Sequence, residues 1–384
     1  MSLLWNRHTR SLMLRLVQHL PLHKGRVMCV CWGGKQYGCN PKAITDAIMA
    51  DAEARSQFEV WYAFFEPQKF QSQLPKGVRA VEIGSLQYFR LLATSQFIIA
   101  NTRFGGGIYW SFPKRKGQIY IQTMHGPQGV KKVEFAAVDT LPKAYIESAM
   151  EDNRRTDLML SNSDYSTERC HSAFLYEGEI LDKGLPRNDE FMLKLEQESR
   201  PDYPFSLASK HYLVYAPTFR ANGRRDVYQF NIDKVIAALE TKFGGEWYIR
   251  ISSHPNMRSY YHEIYDFSHP RLIDIGGDDL QQHLLTSDAL MTDYSSSELD
   301  FSLRQLPVFQ YCKDRHDYDR GFYLEPSSLP FPYAETEEQL IANILHFDNE
   351  KYLTDLARFN SEVIGLHESG HASEAVVKWM QKHL

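Results

Sequence analysis

The stretch Asp288-Ala-Leu-Met-Thr-Asp-Tyr-Ser-Ser-Ser-Glu298 runs a short apolar segment directly into a serine-rich one. Ala289–Thr292 predicts a buried strand, and Ser295–Leu303 predicts a helix that starts at hydroxyl-bearing residues. An earlier stretch, Asp157-Leu-Met-Leu-Ser-Asn-Ser-Asp-Tyr-Ser166, repeats this order of strand and helix start. The two stretches therefore predict one βα unit of similar design in each half of the chain.

Short apolar runs alternate with helical patterns on both sides of these two stretches. The other predicted strands are Arg26–Trp32, Phe58–Phe65, Ala80–Ile83, Gln96–Asn101, Gln118–Met124, Gly178–Leu181, His211–Ala216, Trp247–Ser252, Arg271–Ile275 and Pro307–Tyr311. The other predicted helices are Pro41–Ala50, with Asn40 as its N-cap, Ser163–Ala173, Asn231–Phe243, Asp279–Leu285 and a largely helical tail from Glu337 to Leu384. Such alternation predicts parallel sheets covered by helices on both faces.

A polar, proline-bearing stretch from Leu195 to Ser209 interrupts the alternation and predicts a linker. We therefore expect two doubly wound domains, residues 1–194 and 195–384, that face a central cleft. Ligands of such domains bind at the carboxyl ends of the strands. Chemistry is expected from the residues that follow each strand.

Composition narrows the classes of protein that the chain can represent. A length of 384 residues exceeds one ordinary core, and 43% hydrophobic with 24% charged residues is a globular balance. A net charge of −5 does not suggest a nucleic-acid binder. The five cysteines predict reduced core thiols of a cytosolic protein, with a metal or disulfide role as the alternative.

The N-terminal residues show neither a signal peptide nor an apolar run of about 20 residues that could span a bilayer. They are amphipathic, because Trp5, Leu12, Leu16 and Leu20 share one side of a helical wheel. This segment predicts either a helix in a membrane interface or a helix packed on its own domain.

Two histidines follow predicted strands, one in each domain. His125 ends the strand before Gly126-Pro127, and the cations Lys131 and Lys132 come just after it. His254 follows Trp247–Ser252, and Arg258 lies four residues on. A histidine at such a position can act as a general base near neutral pH, although a single histidine is more often structural.

Candidate phosphate ligands follow two strands of the second half. Ser295 and Ser296 stand at a helix start, where free N–H groups favour anions, while Ser295 with Glu298 also fits a capping box. Thr218 and Arg220 follow His211–Ala216, with a surface arginine as the alternative for Arg220. Neither GxGxxG nor a P-loop motif is present, and Gly105–Gly107 predicts a flexible turn rather than a phosphate loop.

Taken in order, these segments resemble the CDP-glycerol glycerophosphotransferases, which include teichoic-acid and capsule polymerases and primases. The matching segments are Tyr37-Gly-Cys-Asn-Pro-Lys42, Thr123-Met-His-Gly126, Gly184-Leu-Pro-Arg-Asn-Asp189, Tyr215-Ala-Pro-Thr-Phe-Arg220, Ser253-His-Pro255, Thr292-Asp-Tyr-Ser-Ser296 and Arg320-Gly-Phe-Tyr323. The resemblance implies a GT-B-like pair of Rossmann domains, with the nucleotide held mainly by the second and the last helices crossing back to the first.

The resemblance also implies transfer of an alditol phosphate from a CDP-alditol, glycerol or ribitol, to a hydroxyl of a glycan or lipid-linked polymer, without a cofactor or metal. His125 is then expected as the base, and His254 as the catalytic residue that neutralises charge on the pyrophosphate. The expected donor ligands are Thr218, Arg220, Arg258, Asp293, Ser295 and Ser296, and the expected acceptor-side residues are Asn40, Lys131 and Lys132. The protein is expected in the cytoplasm, with a possible place on the inner face of the membrane. A sugar-nucleotide glycosyltransferase of the same fold and a non-catalytic polymer-binding protein are the alternatives.

Overall fold

The computed structural model describes residues 16–17, 19–104, 114–126, 129–197, 209–220, 224–253, 257–318 and 320–384. The chain forms two compact units. Unit 1 comprises Met1–His125, Glu134–Asp189 and His367–Leu384, and unit 2 comprises Gly126–Val133 and Glu190–Leu366.

Unit 1 is built on a parallel sheet of seven strands in the order β3-β2-β1-β4-β5-β6-β7. The strands are β1 His23–Val30, β2 Glu59–Phe64, β3 Arg79–Glu82, β4 Ser95–Ala100, β5 Ile119–Gln122, β6 Leu158–Ser161 and β7 Glu179–Asp182. Its helices are α1 Cys39–Ala50, α2 Ala52–Gln57, α3 Leu86–Thr94, α4 Lys143–Arg155, α5 Asp164–Ser172 and α13 Ala372–Gln381. The strand order reverses between β1 and β4, which is the switch point of a Rossmann sheet.

Unit 2 repeats this order in a parallel sheet of six strands, β10-β9-β8-β11-β12-β13. The strands are β8 Lys210–Tyr215, β9 Glu246–Ile251, β10 Leu272–Asp274, β11 Ala289–Thr292, β12 Val308–Tyr311 and β13 Tyr333–Ala334. Its helices are α7 Ile232–Phe243, α8 Arg258–Ile264, α9 Leu280–Leu285, α10 Ser297–Ser302, α11 Glu337–Leu345 and α12 Asn349–Arg358. Helix α6, Asp189–Gln197, begins where unit 1 passes into unit 2. The switch point of this second sheet lies between β8 and β11.

The central strands read as apolar runs because both of their faces are covered. All four residues of β6, of β11 and of β12 are buried. One face of the unit 1 sheet packs with Ile44 and Ile48 of α1 and with Trp379 and Met380 of α13 in a common core. The last helix is therefore part of unit 1, although it is the last element of the chain.

Three boundaries in the structure differ from those predicted from the sequence. The units divide at Asp189–Glu190 rather than at 194–195, and Gly126–Val133 belongs to unit 2. Helix α1 begins at Cys39 with Gly38 as its N-cap, so Asn40 lies inside the first turn and is not the cap.

The predicted amphipathic N-terminal segment lies mostly outside the described residues, although Leu16 and Leu20 are described and exposed. In the part of the chain that the structure describes, no helix combines the length and the apolar character that a membrane span requires. All five cysteines are buried and none forms a disulfide.

Candidate active-site residues

The carboxyl ends of β1, β4 and β5, which are neighbours in the sheet, bring together a small polar cluster in unit 1. Trp32 follows β1, Asn101 follows β4 and His125 follows β5. The imidazole of His125 is exposed and packs against the indole of Trp32, with 4.7 Å between the ring centroids. The cluster lies at the switch point of the sheet, where doubly wound folds bind their ligands.

Nδ1 of His125 is held by the backbone of the strand next to its own. Its Nδ1 lies 3.1 Å from the carbonyl oxygen of Asn101. A carbonyl only accepts hydrogen bonds, so Nδ1 carries the proton and Nε2 of the neutral ring is left with a lone pair. This arrangement gives the nitrogen the electronic state that a general base requires.

Asn40 and Arg187 hold the backbone on either side of His125. Asn40 is fully buried and donates from Nδ2 to the carbonyl oxygens of Thr123, at 3.1 Å, and of Met124, at 3.0 Å. Its Oδ1 accepts from the backbone N–H of Arg187, whose guanidinium donates to the carbonyl oxygen of His125. The prediction that Asn40 contacts the acceptor is corrected, because the side chain is buried and supports the loop that carries His125.

The corresponding end of the unit 2 sheet joins the segments that follow β8 and β11. Asp293 accepts hydrogen bonds from the backbone N–H of Thr218, at 2.8 Å, and of Tyr294, at 2.5 Å. Its other oxygen pairs with Arg220 at 2.8 Å. Asp293 is expected from the sequence among the donor ligands, but these contacts make it a residue that orients its neighbours. The hydroxyl oxygen of Thr218 is buried without a hydrogen-bond partner in the described residues.

Arg220 is 4% exposed and is built into the interior of unit 2. Its guanidinium makes two parallel hydrogen bonds to Asp314, at 2.6 and 2.9 Å, and a third to the carbonyl oxygen of Thr218 at 2.6 Å. Burial acts to raise the pKa of Asp314, but the hydrogen bonds and charge of Arg220 outweigh it and hold that pKa below its usual value. Asp293 and Asp314 bind the guanidinium, which therefore ties the segments after β8 and β11 together. The prediction that Arg220 clamps a donor phosphate directly is corrected for this reason.

Ser295 and Ser296 are half-buried in the turn before α10. The hydroxyl of Ser295 accepts from the backbone N–H and the hydroxyl of Ser297, at 3.3 and 3.0 Å. The capping box predicted for Ser295 and Glu298 is wrong, because Ser296 is the N-cap without a side-chain bond and Glu298 turns inward. Glu298 is fully buried, accepts a hydrogen bond from Gln310 at 2.9 Å, and has its pKa raised well above the usual range by burial.

Lys131 and Lys132 lie beside this turn, in unit 2 and not in the first domain to which the sequence assigned them. Lys131 pairs with Phe322 in an antiparallel bridge, and the backbone N–H of Lys132 donates to Gly321 at 3.1 Å. Gly129 packs so closely on Ser296 that an added Cβ would lie 3.1 Å from the serine Cβ. Burial, followed by the charge of Arg320, lowers the pKa of Lys131 to about 8.

His254 lies outside the described residues, so its predicted role stays a prediction. Arg258 opens α8, is exposed, and donates to Asp274 at 2.9 Å. Ser253, next to the undescribed segment, is buried and its hydroxyl oxygen has no partner in the described residues. Arg258 is thus an exposed cation near the carboxyl ends of β9 and β10.

Sequence reasoning gave no role to Trp32, Arg187, Asp314, Gln310 and Arg320. Arg187 and Arg320 stand in segments that carry the family resemblance, Trp32 and Gln310 lie in apolar runs that predicted strands, and Asp314 carries no local signal. Arg220 and Asp314 are 94 residues apart in the chain, so only the folded unit brings them together.

One histidine in unit 1 lies between two carboxylates. His367 Nδ1 is 2.6 Å from Asp182, and its Nε2 is 3.5 Å from Asp164. In the described residues these three side chains are the group whose ligand atoms lie close enough to hold a metal ion. As they stand, they form a polar cluster that joins the C-terminal segment to β7 and α5.

Comparison with known proteins gives one family over nearly the whole chain. Residues 12–382 match the family described as CDP-glycerol:poly(glycerophosphate) glycerophosphotransferase. The chain is 27% identical to a teichoic acid poly(glycerol phosphate) polymerase of Bacillus spizizenii, over 96% of this chain and 95% of that protein. It is 30% identical to a teichoic acid ribitol-phosphate primase of the same organism, over 71% and 72% of the two chains.

A solved structure shows the same fold. The wall teichoic acid polymerase TagF superposes with a TM-score of 0.77 at 24% identity, over 97% of this chain and 92% of that one. The GT-B-like pair of Rossmann domains predicted from the sequence is confirmed.

Proposed function

Since the chain belongs to the CDP-glycerol:poly(glycerophosphate) glycerophosphotransferase family, we propose that it transfers an alditol phosphate from a CDP-alditol to a hydroxyl of a teichoic-acid-like polymer or cell-surface glycan. CMP is the other product. The observation that carries the chemical part of the proposal is His125, an exposed imidazole at a switch point whose Nδ1 is committed to Asn101.

The reaction is a displacement at the β-phosphorus of the donor. The acceptor hydroxyl gives its proton to Nε2 of His125 as its oxygen attacks the phosphorus, and the bond from phosphorus to the CMP oxygen breaks. CMP leaves with the electron pair of that bond as a stable phosphate monoester. Catalysis then depends on placing the hydroxyl and on neutralising the pyrophosphate charge.

Unit 2 supplies the groups for the pyrophosphate. Lys131 and Lys132, which the resemblance placed on the acceptor side, are assigned to the donor because they lie in unit 2 near the turn Ser295–Ser296. Arg258 is a further cation near the ends of β9 and β10, and the hydroxyl of Thr218 with the turn Ser295–Ser296 offers neutral donors. Arg220 acts behind them through Asp293, which fixes the backbone of Thr218. His254 completes this set in the proposal.

The remaining assignments follow from the chemistry of the donor. A CDP-alditol is a cytoplasmic metabolite, so we place the protein in the cytoplasm, with the inner membrane surface as the site of a lipid-linked acceptor. The proposal includes both CDP-glycerol and CDP-ribitol as donors. The cations above take the place that a metal ion would have, so the proposal includes no cofactor.

The test is CMP release from CDP-glycerol and CDP-ribitol, with UDP-sugars as competing donors. His125→Ala is expected to lower turnover by roughly 10²- to 10⁴-fold, the usual contribution of a general base, with little change in donor affinity measured by calorimetry. His23→Ala, which changes an exposed histidine at the start of β1, is the matched control.

Three results would contradict the proposal. Release of a nucleotide from UDP-sugars but not from CDP-alditols would make the protein a glycosyltransferase. Full turnover by the His125→Ala protein would mean that His125 is not the general base. A loss of donor binding in this variant, with the fold intact, would make His125 a binding residue.

A further inference from the structure

Trp32 has a backbone conformation that bulky residues rarely adopt. Its φ is +46°, in the left-handed region, and Gly33 and Gly34 follow with φ of +59° and +88°. The backbone N–H of Trp32 donates to Oδ1 of Asn101 at 2.7 Å, and that of Gly34 donates to Cys31 at 2.8 Å. Left-handed backbone in an aromatic residue costs energy and is concentrated at functional sites, where the surrounding contacts impose it.

The turn exposes the indole instead of burying it. Trp32 is 38% exposed, although it directly follows the buried end of β1. The other described tryptophans of unit 1 are bonded, since Trp61 donates its indole N–H to Glu59 at 3.0 Å and Trp379 donates to Glu179 at 2.6 Å. The indole N–H of Trp32 has no hydrogen-bond partner among the described residues and can donate to a ligand.

The same asparagine holds the indole and the imidazole. Asn101 is fully buried, its side-chain oxygen binds the backbone of Trp32, and its carbonyl oxygen binds Nδ1 of His125. The two rings therefore keep a fixed relation, with centroids 4.7 Å apart and planes inclined by 45°. A ligand that lies on the exposed indole lies beside the nitrogen that takes the proton.

We propose that Trp32 is the acceptor-binding residue of the reaction, and that it binds the sugar ring that carries or adjoins the attacking hydroxyl. A sugar ring has a flat C–H face that packs on an indole and hydroxyls that accept from its N–H, as aromatic side chains with a polar edge commonly bind such ligands. A glycerol phosphate unit is flexible and anionic and offers no comparable face. This inference rests on the proposed function and names the acceptor chemistry of the same site.

The kinetic test uses the full chain with saturating CDP-glycerol and two acceptor probes. One is an alkyl glycoside of an N-acetylhexosamine disaccharide, and the other is a trimer of glycerol phosphate. Trp32→Ala is expected to raise the KM for the disaccharide about 10- to 100-fold, comparable to the loss of one ring stacked on an aromatic residue. Trp32→Phe, which keeps a flat ring, should restore most of that affinity.

Trp61→Phe is the control, because it changes another partly exposed tryptophan of unit 1 that lies within β2 beside Met28 rather than in the turn after β1. An unchanged KM for the disaccharide in Trp32→Ala would overturn the inference. A fall in kcat alone would also overturn it, since that result would mean that the indole only supports His125.

A binding measurement separates this inference from the proposed function. The disaccharide is titrated into the His125→Ala protein without donor, and binding is followed by saturation-transfer NMR on the sugar protons. Saturation transfer that disappears in the His125→Ala/Trp32→Ala double variant supports a sugar-binding role of Trp32, even if the protein turns over no CDP-alditol. Transfer that persists in the double variant overturns it, and circular dichroism with the melting temperature shows that the variants are folded.

Discussion

Lys131 is expected to make donor binding depend on pH. Its pKa is lowered to about 8, first by burial and then by Arg320, so the ammonium loses its proton as pH rises through that value. The affinity for CDP-glycerol is therefore expected to fall roughly 10-fold between pH 7 and pH 9, as one cation next to the pyrophosphate is lost.

Calorimetry at several pH values measures this effect, with Lys131→Met as the comparison. That variant should bind more weakly at pH 7 and should lose the pH dependence between 7 and 9. An equally steep decline in the variant would assign the titration to another group.

Asp314 and Asp317 lie on the same short segment but contribute differently to stability. Asp314 is buried and bonds Arg220 twice, whereas Asp317 pairs with Arg224 at the surface. Asp314→Ala should lower the free energy of unfolding by about 3–5 kcal/mol, because it leaves a buried guanidinium partly unpaired. Asp317→Ala should cost about 0–1 kcal/mol.

Urea denaturation of the two variants measures this difference. Equal losses would mean that Asp293 alone satisfies Arg220. The two variants also test whether Arg220 acts as a supporting residue rather than a phosphate ligand. In that case Asp314→Ala should weaken donor binding only because the Thr218 segment, which Arg220 holds, is displaced.

At the scale of elements, apolar runs in the sequence predicted the strands well. The hydrogen bonds that fix helix starts and turns could not be predicted in the same way. Ala289–Thr292 is confirmed as β11, because every residue of that run is buried between helices. The helix predicted from Ser295 begins at Ser297, since Ser295 uses its hydroxyl on the turn itself. The left-handed turn at Trp32 could not be predicted, because it depends on Asn101, 69 residues away in the chain.

Glu368 connects the C-terminal segment to the loop after β7. It accepts from Asn162 and Asn188, each at 2.8 Å, and from the backbone N–H of Leu185 at 3.2 Å. Burial raises its pKa to about 7 in spite of these hydrogen bonds. An acid with a raised pKa contributes stability that is complete below its unfolded pKa and is lost as pH rises through the folded value.

Melting temperatures of the wild type and Glu368→Gln between pH 5 and pH 8.5 test this expectation. The neutral amide does not ionise, so the variant should gain on the wild type as pH rises from 5 to about 7, and the difference should level off above that value. Glu147→Gln, at an exposed glutamate of α4 that pairs with Lys143, is the matched control and is expected to show no such gain. A constant difference for Glu368→Gln would mean that this carboxyl does not titrate in that range.

At the scale of the whole molecule, the chain repeats one design twice. Both sheets reverse their strand order after the first strand, β1 beside β4 and β8 beside β11. The alternation of strands and helices predicted both parallel sheets, whereas the repeated βα stretches occupy different places, β6 in one sheet and β11 in the other. Sequence could not assign Gly126–Val133 to unit 2, because backbone bonds from Val130 and Lys132 to the distant Gly321–Tyr323 segment decide that placement.

The two switch points are expected to divide the work, and hydrogen exchange read by mass spectrometry can follow each unit separately. CDP-glycerol should slow exchange mainly in unit 2, at Thr218, at residues 293–297 and at residues 129–132, because donor phosphates would engage their backbone. The disaccharide probe should slow exchange in unit 1, at the turn after β1 and at the loop that carries His125. The protein is compared with no ligand, with each ligand and with UDP alone, which controls for nucleotide binding without the alditol. Protection of unit 1 by the donor, with unit 2 unchanged, would contradict the assignment, because the cations and hydroxyls at the ends of β8 and β11 would then bind something other than the pyrophosphate.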